Sequence, residues 1–218
     1  MRARLWLCLD PSAQDAQLLQ INAQIASECA TQQGITAALW LRMQGPLSSR
    51  AYLALASQCR AIADRSLHAL VVGDRCDVAL LCAADALHVS SRSPNAYDAR
   101  RYFDRLFASV SDTPEITASV HAGDPIEEIS TTAQCLLAAP FAAVPSKSAP
   151  LGEVGLRGFK TRAPASRLIA LGGLHDPTSI SRALSAGADA IAIRSPMLSP
   201  NIADSLSPIL RALAELPA

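Results

Sequence analysis

The chain has 218 residues, half of them apolar, and its 19 Lys and Arg balance 19 Asp and Glu to a formal net charge of zero. That balance excludes the broad basic surface on which nucleic-acid and acidic-membrane binding rest, and no apolar run reaches the ~20 residues of a membrane span. The length suits one domain with a sizeable core, and residues 1–218 are expected to form one.

The charged start Met1–Arg4 is followed by the short apolar run Leu5–Leu9. This is too short for a signal-peptide core and reads as a first strand, so a cytoplasmic protein is expected. Asp10-Pro11-Ser12 reads as a turn and helix start. Leu18, Ile21, Ile25 and Cys29 then recur at helical spacing within 16–30 until Gly34. A second strand spans 35–41 and closes on Arg42. Ser48-Ser49 caps a helix to about Ala63, and a third strand covers 67–72 before Gly73-Asp74-Arg75. A short helix at 77–82, a strand at 86–89, a helix at 95–110 and a strand at 115–120, closing on His121, follow. Asp124-Pro125 opens another helix, and the sixth strand is 135–139. Residues 140–164 are rich in Pro, Gly, Ser and Lys and are not expected to be regular throughout, a candidate active-site lid. Arg167–Ser195 reads as strand, glycine pair, helix and strand, a crossover unit of about 30 residues. A last helix runs over 202–216.

Eight short apolar strands alternating with helices imply a parallel sheet buried on both faces. The count of eight, without an early G-x-G-x-x-G, favours a closed (β/α)8 TIM barrel over an open doubly wound sheet. The six cysteines form no C-x-x-C pair and sit mostly in apolar runs, as buried reduced thiols do.

In such a barrel the site lies at the C-terminal strand ends. Here those ends carry Arg42 and Gln44, Asp74 and Arg75, Ser91 and Ser93, Ser119 and His121, Ser146 and Lys147, Gly172 and Gly173, and Arg194 and Ser195. The cations Arg42, Arg75, Lys147 and Arg194 suit an anionic ligand. Bare backbone at Gly172-Gly173, with Ser195, suits a phosphoryl group approaching N–H groups after the last two strands.

These residues carry a resemblance. GDRCDVALLCAADALHVSS resembles the ND-R-x-D-x-A-L…A-D-G-x-H-x-G-Q segment of the thiamine phosphate synthase/TenI family, and LIALGGL…AGADAIAIRS resembles its I-A-x-G-G-I…A-G-A-D-G-x-A-V-x-S end. LWLRMQGPLS lies where that family has V-Q-L-R-E-K-x-L-S, and ASVH where it has G-x-S-x-H. The resemblance implies a barrel that binds thiazole phosphates. One branch couples hydroxymethylpyrimidine diphosphate to thiazole phosphate with Mg²⁺, releasing pyrophosphate. The TenI branch includes a thiazole tautomerase whose S-V-H histidine is the proposed acid/base, the place His121 holds here.

The sequence departs from the family pattern at Trp40 (family Gln), Gln44 (Lys), Gly73 (Asn), Ser91 (Gln) and Ser93 (a metal-ligand Asp), and at Val144-Pro145-Ser146-Lys147 for T-x-T-K. The thiazole-phosphate half of the site is thus better kept than the pyrimidine-diphosphate half. The resemblance implies His121, Lys147 and Ser119 as catalytic and Arg42, Arg75, Gly172, Gly173 and Ser195 as substrate-binding, and the strand-end positions add Ser146 and Arg194 to the substrate-binding set. Asp74 remains as metal ligand if Mg²⁺ is used, as only a synthase would need. A tautomerase is the favoured reading. A divergent synthase and a non-catalytic phosphate-binding or regulatory barrel are the alternatives. The expected partner is a small phosphorylated thiazole, and the sequence is compatible with a homodimer.

Overall fold

The computed structural model describes residues 3–42, 47–91, 95–106, 113–145, 147 and 149–215. Its strands are β1 (Leu5–Leu9), β2 (Ala37–Leu41), β3 (Ala69–Gly73), β4 (Ala86–Val89), β5 (Glu115–Val120), β6 (Cys135–Ala138), β7 (Arg167–Leu171) and β8 (Ala190–Ile193). All neighbours pair in parallel and in chain order, and β8 returns to β1 through Leu5↔Ile191 and Trp6↔Ala192, so the sheet is a closed (β/α)8 barrel. The helices between and after them are α1 (Ala16–Gln32), α2 (Ser49–Arg65), α3 (Cys76–Leu81), α4 (Ala96–Leu106), α5 (Ile126–Ser130), α6 (Gly152–Arg162), α7 (Pro177–Ser185) and α8 (Ile202–Ala214).

Closure follows from strands that are apolar on both faces. Leu5, Leu7 and Leu9, with Leu39, Leu41, Leu70 and Val72, point outward into the layer shared with the helices. The alternate residues, Trp6, Cys8, Ala38, Trp40, Val71, Ala86, Cys135, Leu137, Ile169, Ala190 and Ala192, form a second buried cluster inside the barrel. Most of that inner set is small. The two tryptophans from adjacent strands fill the remaining space, packing edge to face with centroids 6.1 Å apart. All six cysteines are free, and burial pushes the Cys8 and Cys59 thiols up to about 12 and that of Cys135 to about 11.

The local start and stop signals act as their chemistry requires. Ser48 accepts from Ala51 N at the head of α2, Asp176 accepts from Ser179 N ahead of Pro177 in α7, and Gly34 follows α1 with φ +66. The Asp10-Pro11-Ser12 helix start needs correction: α1 begins at Ala16 under an Asp15 cap, and Asp10 is used elsewhere. β3 starts at Ala69 because Leu67 is left-handed (φ 53) and 88% exposed, a turn residue and not a strand residue.

The stretch 140–164, not expected to be regular throughout, holds one helix, α6, which sequence reasoning did not place. Gly152, Gly155 and Gly158 lower its intrinsic propensity, yet Leu156 and Phe159 lie one turn apart and are buried against the barrel. Tertiary burial outweighs propensity here, and the irregular part shrinks to the segment before α6. The predicted helix 95–110 is seen as Ala96–Leu106, and 107–110 lie outside the described residues. No helix among the described residues is long and apolar enough to cross a membrane.

Candidate functional site

The C-terminal strand ends enclose a cavity of about 450 Å³. Cys8, Trp40 and His88 lie deepest, and Asp74, Ser119, His121, Lys147, Gly172, Gly173, Arg194 and Ser195 line its walls and mouth. Each strand, or the loop directly after it, contributes to the lining, because parallel pairing in chain order brings every strand end to the same rim.

Asp10, just after β1, is fully buried. Its Oδ2 accepts from Arg42 Nη1 (3.1 Å) and Arg194 Nε (2.7 Å), and its Oδ1 accepts from Ser12 Oγ (2.6 Å) and Ser12 N (3.1 Å). Burial alone would raise this carboxyl, but the Ser12 and Arg194 hydrogen bonds and the Arg42 charge outweigh it and hold it below the ordinary range. Arg42 and Arg194 therefore reach the cavity as members of a carboxylate-bridged pair spanning β8, β1 and β2. Arg42 also lies over the Trp40 ring at 5.8 Å. Sequence reasoning missed Asp10 because Asp-Pro-Ser is a strong local turn signal, whereas its partners lie 32 and 184 residues away.

His88, read from sequence as structural, forms part of the cavity floor at 2% exposure. Its Nδ1 is 2.9 Å from Thr117 Oγ1 and its Nε2 is 2.9 Å from Ser119 Oγ. Burial lowers it to about 4, with the Arg42 charge adding to the depression and Asp74 opposing it, so the ring is neutral at pH 7. The Trp40 ring packs edge-on against it at 4.8 Å. His121 differs: it is half-exposed at the mouth, its Nδ1 lies 3.5 Å from Asp124 Oδ2, and its backbone N–H donates to the same oxygen (2.7 Å). Asp124 thus lies beside one nitrogen of the ring and is hydrogen-bonded to the His121 backbone.

Gly172 and Gly173 have φ +101 and +69. A Cβ on Gly172 would stand 3.0 Å from Pro140 Cβ, and one on Gly173 would stand 2.6 Å from Ala142 Cβ. The 140–142 segment lies against them because Phe141 N donates to Leu171 O and Ala142 N donates to Gly172 O. The glycines are therefore required by packing as well as by conformation. Among the loop and cap hydrogen bonds of the described residues, none uses the N–H of Gly172, Gly173 or Ser195. Ser195 opens a single 3-10 turn, Ser195–Leu198, that sequence reasoning did not predict. Loops after β7 and β8 with a short extra helix are where barrels of this kind bind phosphate.

Of the residues singled out from sequence, Arg42, Asp74, Ser119, His121, Lys147, Gly172, Gly173, Arg194 and Ser195 line one cavity. Arg75 does not: its guanidinium turns away to Asp77 (2.8 and 2.5 Å) and Ser49 Oγ (3.3 Å). Ser146, Gln44 and Ser93 lie outside the described residues. Lys147 makes no side-chain hydrogen bond or ion pair among the described residues, so it is the cation at the mouth whose charge is not already matched.

Among the described residues the donor set does not fit a protein-held Mg²⁺. Asp74 already accepts from Ser90 N (2.8 Å) and Ser90 Oγ (3.1 Å), tying the end of β3 to the end of β4. The other cavity-side carboxylate, Asp10, is enclosed by two guanidiniums, and no group of three His, Cys, Asp or Glu with metal-binding placement occurs among the described residues.

A family model described as thiamine monophosphate synthase matches residues 10–197. The thiamine-phosphate synthase of Albidiferax ferrireducens is 29% identical over 170 residues, covering 75% of this chain and 72% of its own. That of Chloroflexus aurantiacus is 27% identical over 172 residues, covering 78% and 76%. The solved thiamine phosphate pyrophosphorylase from Pyrococcus furiosus has the same fold, with a TM-score of 0.78 at 21% identity over 98% of this chain and 96% of that one.

Proposed function

This chain belongs to the thiamine monophosphate synthase family, and from that premise we propose that its barrel mouth binds a thiazole phosphate and moves a proton on the heterocycle with His121. The observation that carries the reading is the His121–Asp124 pair on the rim of the cavity that Gly172, Gly173 and Ser195 also line. The N–H groups of those three residues grip the phosphoryl group. Lys147 supplies the unmatched positive charge beside a carboxylate on the ring. With Asp124 on Nδ1, the Nε2 of His121 is left to take and return the proton, the work imidazole does best near neutral pH. Ser119 and the Arg42–Arg194 pair shape the floor and wall that orient the ring.

The test is conversion of a thiazole carboxylate phosphate to its ring tautomer by the purified protein, followed by NMR. Turnover that falls about 10²-fold or more in His121→Ala is expected. Equal rates in the two proteins would end the assignment.

A second reading, a divergent synthase, is favoured by the names of the two curated relatives. Its Mg²⁺ would have to arrive with the substrate's diphosphate, since the described residues offer only Asp74. Formation of thiamine phosphate from the pyrimidine diphosphate and thiazole phosphate, with Mg²⁺, decides for it. Its absence decides against.

A further inference from the structure

Beneath the mouth, β4 and β5 place three side chains in one line. His88 pairs in register with Thr117, and Thr117 and Ser119, two apart on β5, face the same side. The imidazole therefore bridges both hydroxyls, at 2.9 Å on each nitrogen. We propose that Thr117, His88 and Ser119 form a directed hydrogen-bond relay that fixes the Ser119 hydroxyl as an acceptor, so that the cavity floor selects a ligand carrying an N–H or O–H donor.

A neutral imidazole has one N–H and one bare nitrogen, so one hydroxyl must accept from the ring and the other must donate to it. The direction follows from what else each hydroxyl can reach. Thr117 Oγ1 donates to Leu87 O at 3.4 Å. That leaves its lone pairs for an N–H on His88 Nδ1. Ser119 Oγ has no hydrogen-bond partner but His88 among the described residues, so its proton goes to the bare Nε2. This direction makes three bonds: Ser119 to His88, His88 to Thr117, Thr117 to Leu87. Reversing it turns the Thr117 proton onto Nδ1 and gives up the Leu87 bond. Buried at 2%, the ring is best served by the arrangement with every proton placed. Its depressed pKa keeps it neutral throughout the working range, so protonation does not erase the direction.

The consequence reaches the ligand. Ser119 Oγ lines the cavity with its proton already committed, and only lone pairs face inward. An acceptor on the ligand, such as a carboxylate oxygen or a bare ring nitrogen, meets another acceptor there. An amino or hydroxyl group meets a partner. His88 acts through Ser119 as a positioning residue, and Trp40 packed edge-on against its ring keeps the ring from flipping out of reach of both hydroxyls. The inference rests on the β4–β5 geometry and not on the tautomerase reading, in which the thiazole carboxylate turns its acceptors to Lys147 at the mouth and not to Ser119, so failure of either leaves the other intact.

Two measurements on the full chain test it. Long-range proton–nitrogen NMR of the ¹⁵N-labelled protein should show His88 as the Nδ1–H tautomer at pH 7, and an Nε2–H tautomer would overturn the relay. A matched pair of probes, 2-aminothiazole and 2-methylthiazole, differs by the donor alone. The amino probe should bind about fivefold more tightly, and Ser119→Ala should level the two. Equal binding to the wild-type protein, or a preference surviving in Ser119→Ala, would overturn the assignment.

Discussion

Replacing Asp10 by Asn tests how the cavity is built. The carboxylate is fully buried and accepts four hydrogen bonds, two from guanidiniums. Losing one member of a fully buried ion pair costs about 3–5 kcal/mol. Arg42 and Arg194 keep 23% and 42% of their side chains exposed, so solvent recovers part of that cost. The expected loss in urea unfolding is about 2–3 kcal/mol with an unchanged m value. The pH dependence sharpens the assay. The folded carboxyl lies below its ordinary value near 3.8, so its contribution is complete above that value and is lost as pH falls through the lower folded value. Wild type and Asp10→Asn should therefore converge in stability on acidification below about pH 4. A loss under about 0.5 kcal/mol, the size of a surface substitution, or a gap that does not narrow in acid, would refute the bridge.

Further outcomes follow from other parts of the barrel. Gly173→Ala should cost about 2 kcal/mol or more in thermal or urea unfolding, since it adds a left-handed penalty to a 2.6 Å contact with Ala142. Gly34→Ala, also at positive φ but with open space around it, should cost only the conformational part of about 1 kcal/mol. His88, lowered to about 4 by burial, binds its proton more readily when unfolded, so stability falls as pH drops from about 6.5 towards 4, by up to about 3 kcal/mol. A His88→Asn protein should show a shallower decline in calorimetry over that window. On the proposed tautomerase reading, Asp124→Asn should lower turnover of the thiazole carboxylate phosphate about tenfold or more with little change in KM, since Asp124 lies beside Nδ1 of His121. Native-state titration with a thiol reagent should modify half-buried Cys29 and Cys76 before Cys8 or Cys59, whose thiols are fully enclosed.

Much of the barrel is legible in one dimension. Strands such as Leu5–Leu9 and Ala190–Ile193 are continuous apolar runs bounded by turn residues, and such runs have few uses outside a sheet buried on both faces. Eight of them in alternation with helices specify the barrel, and parallel order then sends every strand's last residues to the same rim. That is why strand order alone gathers His121, Lys147, Ser119 and the Gly172-Gly173 pair at one end of the molecule. Helix α6 is hidden from such reasoning because its glycines speak locally, while the burial of Leu156 and Phe159 speaks only after the barrel has closed.

The Asp10 pairings within the rim were decided by tertiary structure alone. Residue type gave Arg42, Arg75 and Arg194 the same sign, but Asp10 binds two of them and Asp77 turns the third away. His88 likewise looks like any histidine in an apolar strand until the β4–β5 register sets it between Thr117 and Ser119. Periodicity depends on each side chain's own preference for water or core, which every residue carries along the chain. The Asp10 bridge and the proton direction at His88 depend on distances of about 3 Å between residues far apart in sequence, and those exist only once the strands are laid side by side.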